Sequence, residues 1–171
     1  MQYSYFDSIP EVLDRINEKV FLSDAKSASS KKLLEKAKIT HILVVGQLLE
    51  MKYPSSYKYH YIPIIDSPTQ KITPYFQEAF DFIDEGERVL VHCAAGMSRS
   101  ASMVIAYLMI KNCWEFRIAF EFVKKRRPII RPNPGFISQL RELENNLRKR
   151  KIQVSFEEET IGCKPLKGWC Y

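Results

Sequence analysis

Glycine is scarce in this chain, six among 171 residues, and proline contributes nine. Such counts exclude a collagen-like or low-complexity polymer. The longest nearly unbroken apolar run, Ala101 to Ile110, is interrupted by Ser102. It is about half the roughly 20 residues that a membrane span requires. A secretory leader is not expected, because Met1-Gln2-Tyr3 leads into Asp7 and Pro10 rather than into a basic stretch and an apolar one. Cys93, Cys113, Cys163 and Cys170 do not form a disulfide framework on this reading, in a chain with enough apolar material for its own core. Cys170 is penultimate, so no prenylation signal is expected. A reduced, intracellular, single-domain protein is therefore expected, and separately a monomer without a membrane anchor.

What is present is an ordinary globular composition, 46% hydrophobic and 27% charged, of a length that suits one domain. Twenty-six basic residues against twenty acidic give a net charge of +6, which favours acidic or phosphorylated partners. Arg117, Lys124, Lys125, Arg126, Arg127 and Arg131 cluster around the single acid Glu121, and Arg148 to Lys151 form a second run. Both runs read as solvated helix faces, and nucleic acid is not expected as a partner. Lys124 to Arg127 suits either a nuclear address or an exposed helix end, so a cytoplasmic location, with the nucleus as a second, is expected.

Strand and helix patterns alternate along the chain. Ser8-Ile9-Pro10-Glu11 fits a capping box, but Glu11-Val12-Leu13 and Lys19 to Leu22 fit two short strands joined near Asn17-Glu18, the reading preferred here. Leu33, Leu34 and Ala37 predict a helix over Ser30 to Lys38. Ile42 to Val45, ended by Gly46, has the composition of a strand buried on both faces. Tyr59 to Ile65 predicts a second strand, at an edge because Pro63 lacks a donor. Thr73 is expected to cap a helix that starts at Pro74, buries Phe76, Ala79, Phe80 and Ile83, and ends at Gly86. Arg88 to Val91 predicts a third strand stopping at His92, followed by a buried helix over Ala101 to Ile110. A helix from Trp114 to about Arg127 should bury Trp114, Ile118, Ala119, Phe122 and Val123. The last helix starts at Asn133-Pro134 with Phe136, Leu140, Leu143 and Leu147 on one stripe. Three segments follow: 1–19 ahead of the domain, 20–150 as the domain, and 151–171 as a loosely attached tail. The fold class is α/β, with helices flanking a mostly parallel twisted sheet.

In such sheets ligands sit beyond the carboxyl ends of the strands, which points to His92-Cys93-Ala94-Ala95-Gly96-Met97-Ser98-Arg99-Ser100. Between a strand and a helix, this loop can curl its N–H groups inwards as an anion nest, with Gly96, Ala94 and Ala95 allowing the curvature. The helix N-terminus adds positive potential, and Arg99 can hold two oxygens of a tetrahedral oxyanion. The same field favours the thiolate of Cys93, whose task in a phosphate cradle is in-line attack on phosphorus. Ser100 either assists release of that thiolate or only caps the helix. His92 orients the loop. Asp66, just after a predicted strand at the same sheet edge and on a mobile loop, is the general acid and then base; the other option is a turn cap. Asp81, Asp84 and Glu85 are weaker candidates. No metal or cofactor is expected.

His92-Cys93-x-x-Gly96-x-x-Arg99-Ser100 resembles the signature of the cysteine-dependent protein phosphatases. With Ala106-Tyr107-Leu108-Met109, and with Arg131-Pro132-Asn133-Pro134-Gly135-Phe136 ahead of Gln139-Leu140 and Glu144, it is similar to the dual-specificity subfamily. Asp66 in Ile64-Ile65-Asp66-Ser67 falls where that family keeps its general acid. The resemblance spans Val20 to Leu147 and, without a rhodanese-like docking domain before it, implies the small atypical members. It implies the cysteine-phosphatase fold and hydrolysis of phosphotyrosine and phosphoserine or phosphothreonine in proteins, in a shallow pocket. The expected roles are Cys93 as nucleophile, Arg99 as clamp, Ala94 to Ser98 as cradle, Ser100 as thiolate partner, and Asn133 as helix cap and support for the site wall. Two alternatives stand beside it: the same chemistry on a phosphoinositide, glucan or RNA 5′-triphosphate, and a phosphoprotein-binding module without turnover. Uncharged Ala94, Ala95 and Met97 speak against the first, and the intact Cys93, Arg99 and Asp66 against the second.

Overall fold

The computed structural model describes residues 11–161. Ser8 to Pro10 of the capping-box pattern, and Cys163 and Cys170, lie outside them. Five strands, β1 (Asp14–Arg15), β2 (Val20–Asp24), β3 (His41–Val45), β4 (Lys58–Ile62) and β5 (Val89–Cys93), form one sheet in the order β1-β2-β5-β3-β4. Only β1 runs antiparallel; the remaining pairings are parallel. The sheet is covered on both faces, so its central strands are mostly apolar and alternate their side chains between two cores. Val20, Leu22, Leu43, Val45, Val89 and Val91 face a large core built with α3 (Phe76–Glu85), α4 (Arg99–Lys111), α5 (Phe116–Arg126) and α6 (Pro134–Ile161). Phe21, Ile42, Val44 and Leu90 face a smaller one with Ala28 of α1 (Ala25–Ala28) and Leu34 of α2 (Lys31–Lys36). Helix α4 is enclosed from Ser100 to Met109; its Ser102 is satisfied there, donating to the Ser98 carbonyl at 2.8 Å.

The two-strand reading of the N-terminal segment holds, with the first strand at Asp14–Arg15 instead of Glu11 to Leu13. The turn sets that register: the Asn17 side chain accepts from the Lys19 and Val20 N–H groups, while the Val12 N–H goes to Ser27 Oγ. Strand β4 is an edge strand but stops at Ile62, where Pro63 has no N–H to offer the ladder and the Ile64 N–H turns back to the Ile62 carbonyl. Thr73 is not a helix cap. Thr73–Tyr75 form one 3-10 turn ahead of α3, and the N–H of fully buried Ile72 before it is held by Gln139 Oε1. Strand β5 runs through His92 to Cys93, and α4 begins at Arg99. In α5 only Ala119 and Val123 are buried; Trp114, which precedes it, and Phe122 are half-buried, and Ile118 is exposed. Helix α6 continues to Ile161, so 151–161 of the segment read as a tail are helical.

Candidate active site

The segment from Cys93 to Arg99 joins the carboxyl end of β5 to the first turn of α4. Five successive carbonyls of it are taken by the scaffold. Ala94 accepts from the Ala25 N–H at 3.1 Å, and Met97 from the Arg131 N–H at 2.8 Å. Ala95 and Gly96 accept from Arg127 at 3.4 and 2.8 Å, and Ser98 from both the N–H and the hydroxyl of Ser102. In a trans peptide the N–H points opposite to the carbonyl, so this outward anchoring turns the following N–H groups into the ring. Gly96 is required twice over. Its φ is 64°, and a Cβ would stand 2.4 Å from the Ser23 carbonyl oxygen.

Cys93 lies at the floor of this ring, 1% exposed. Its Sγ receives the Gly96 N–H at 3.2 Å and the Ser100 hydroxyl at 3.1 Å. Ser100 is therefore not the helix cap; Ser98 occupies that position, and the buried Ser100 hydroxyl is directed at sulfur. Arg99 is mostly buried, and its Nε has no hydrogen-bond partner among the described residues, as suits a guanidinium that holds an anion. Gly46, at the end of β3, lets the guanidinium in: a Cβ there would meet Arg99 Nη1 at 2.5 Å. His92 is buried, and its pKa is pushed down to about 4 chiefly by loss of solvent, against a hydrogen bond with the Cys93 backbone and the charge of Asp24. It is neutral at pH 7 and packs behind the loop.

Asp66 enters from the loop after β4. Its Oδ1 accepts from Ser98 Oγ at 2.7 Å and Asn133 Nδ2 at 2.8 Å, and its Oδ2 is 3.7 Å from Arg99 Nε. Asn133 thus has both expected roles, since its Oδ1 also accepts the Phe136 N–H in the first turn of α6. The loop is tied to α6 further along. Gln139 donates to the Gln70 carbonyl while accepting from Ile72, and Gly135 lies against Pro68, where a Cβ would be 1.9 Å from the carbonyl oxygen. Asp81, Asp84 and Glu85 are engaged elsewhere, with Gln77, with Tyr107 and Lys111, and with Lys58.

Residues 20–146 match the family described as dual specificity phosphatase, catalytic domain. The chain belongs to this family. Dual specificity protein phosphatase 1B of Arabidopsis thaliana is 41% identical over 140 residues, covering 80% of this chain and 84% of its own. Dual specificity protein phosphatase 1 of the same plant is 37% identical over 154 residues, covering 88% and 76%. Among solved structures, the human tyrosine phosphatase-like serine/threonine/tyrosine-interacting protein superimposes with a TM-score of 0.74 at 34% identity, over 80% of this chain and 97% of its own. A mouse putative dual specificity phosphatase complexed with zinc tungstate gives 0.75 at 29% identity, over 85% and 94%. As a member of the small atypical group, the chain is a dual-specificity protein phosphatase, a hydrolase acting on phosphotyrosine and phosphoserine or phosphothreonine. The names of the two plant relatives favour neither a non-protein substrate nor a module without turnover.

In this phosphatase the residue that sequence reasoning missed is Arg127. Counted there among solvated cations, it is 1% exposed. Its Nε holds the Gly96 carbonyl, its Nη1 pairs with Asp14 at 2.6 Å, and its Nη2 lies 3.7 Å from Asp24. The one available signal was the apolar spacing of Ala119 and Val123, which carried on by four places reaches Arg127.

Proposed function

We propose that Cys93 Sγ attacks the phosphorus of a phosphorylated side chain in line, forming the S–P bond as the bond from phosphorus to the leaving oxygen breaks. Asp66, protonated on Oδ2, gives that oxygen its proton. In the second step Asp66 takes a proton from water, the water oxygen bonds to phosphorus, and the S–P bond returns its electrons to sulfur. The Ser100 hydroxyl then stabilises the thiolate, and Arg99 with the inward N–H groups of residues 95–99 carries the charge of the equatorial oxygens throughout. The observation that carries these roles is the outward anchoring of five loop carbonyls around a sulfur that already receives two hydrogen bonds. A relative complexed with tungstate, a tetrahedral oxyanion, supports the cradle. The enzyme acts in the cytoplasm on signalling phosphoproteins. The burial of Arg127 and the bond from Lys124 to the Ile130 carbonyl support reading the basic run as a helix end.

The test uses a peptide phosphorylated on both threonine and tyrosine, with phosphate located by mass spectrometry. Wild type is expected to remove both groups and Cys93→Ser neither, the variant still binding inorganic phosphate. Turnover by Cys93→Ser near the wild-type rate would overturn the nucleophile assignment.

A further inference from the structure

The large hydrophobic side chains exposed among the described residues are Val12, Leu48, Met51, Ile65 and Ile118. Three of these five lie in the two loops beside Arg99 and Asp66. Leu48 is 99% exposed, and its φ is 57°, a left-handed conformation uncommon for any side chain other than glycine, asparagine or aspartate. The fold holds it there: its N–H donates to the Tyr61 hydroxyl at 3.1 Å, while Leu49 turns inwards towards Gly46. Gly46 touches the Arg99 guanidinium, and two residues of chain, at most about 7 Å, separate it from Leu48. On the other side Ile65, 52% exposed, immediately precedes Asp66. A leucine that packs against nothing, on a fixed backbone at the mouth of the cradle, has no part in stabilising the fold.

We propose that Leu48 and Ile65 are specificity-determining residues that receive apolar side chains next to the phosphorylated residue of a peptide substrate. This rests on the phosphatase reading above and adds the substrate class. Glu50 and Asp66 put acid beside both side chains, which disfavours an anionic lipid surface as the occupant.

Two phosphotyrosine peptides, with leucine or with alanine on both sides of the phosphorylated residue, provide the test. Wild type is expected to favour the leucine peptide about tenfold in kcat/KM. Leu48→Asn, whose new residue tolerates the left-handed backbone, and Ile65→Ser are each expected to bring that ratio close to one, with an unchanged or raised melting temperature. Each ratio is normalised to the same variant's hydrolysis of a small aryl phosphate. If wild type hydrolyses no aryl phosphate, the phosphatase reading itself fails. Aryl hydrolysis with no leucine preference, or a preference unmoved in Leu48→Asn, overturns this proposal alone. So would variants slowed only on phosphatidylcholine vesicles carrying a phosphoinositide, because the contact would then be with a membrane.

Discussion

Cys93 sulfur and Asp66 carboxylate are fixed before any substrate arrives, each by two hydrogen bonds from residues near the start of α4 or α6 or within the loop itself. At Asp66 the two oxygens are engaged differently: Oδ1 accepts both hydrogen bonds, and Oδ2 lies 3.7 Å from Arg99 Nε. Asp66→Asn retains an oxygen able to accept the Ser98 and Asn133 bonds and loses the transferable proton. Its rate is expected to fall about 10²-fold or more on alkyl phosphates, whose leaving oxygens need that proton, and much less on good aryl leaving groups. Steady-state kinetics on one substrate of each kind check this; an equal loss on both would assign the proton to another group.

Five elements meet behind the phosphate loop. Arg127, at the end of α5, bridges it to β1 and β2, the first residue of α1 ties down Ala94, and the α5–α6 connection ties down Met97. Arg127→Met would leave Asp14 and Asp24 without their cation and two loop carbonyls without a donor. A loss of about 3–5 kcal/mol in stability is expected by chemical denaturation. The folded fraction should bind vanadate at least about tenfold more weakly, with Arg127→Lys between the two. The strand, loop and helix around Cys93 were legible in the sequence because they are contiguous and their composition states their burial. Asp66 was singled out because the expected strand ended just before it, although β4 stops at Ile62. Arg127 was hidden by its neighbours: Lys125 and Arg126 are exposed, and its carboxylate partner Asp14 is 113 positions away. The tethered state of the Asp66 loop depends likewise on Gln139, 69 positions from Gln70. Leu48 gave no periodic signal, since its exposure follows from one backbone angle.

Over the molecule as a whole, burial of His92 makes stability depend on pH. In the folded chain it binds a proton only below about pH 4, and in the unfolded chain already below about 6.5. Between these values the unfolded state holds more protons, so stability is complete above pH 6.5 and falls as the pH drops towards 4. Relative to His92→Asn, wild type should lose about 2 kcal/mol more between pH 7 and pH 5 in urea titrations, and parallel curves would refute this. The anchoring of the phosphate loop also bears on the order in which the protein is made. Arg127, Arg131, Asn133 and Gln139 follow Cys93 in the chain, so a growing polypeptide that has released only its nucleophile and Arg99 from the ribosome has no cradle for either. Reactivity towards phosphate esters then begins only when nearly the whole domain has emerged.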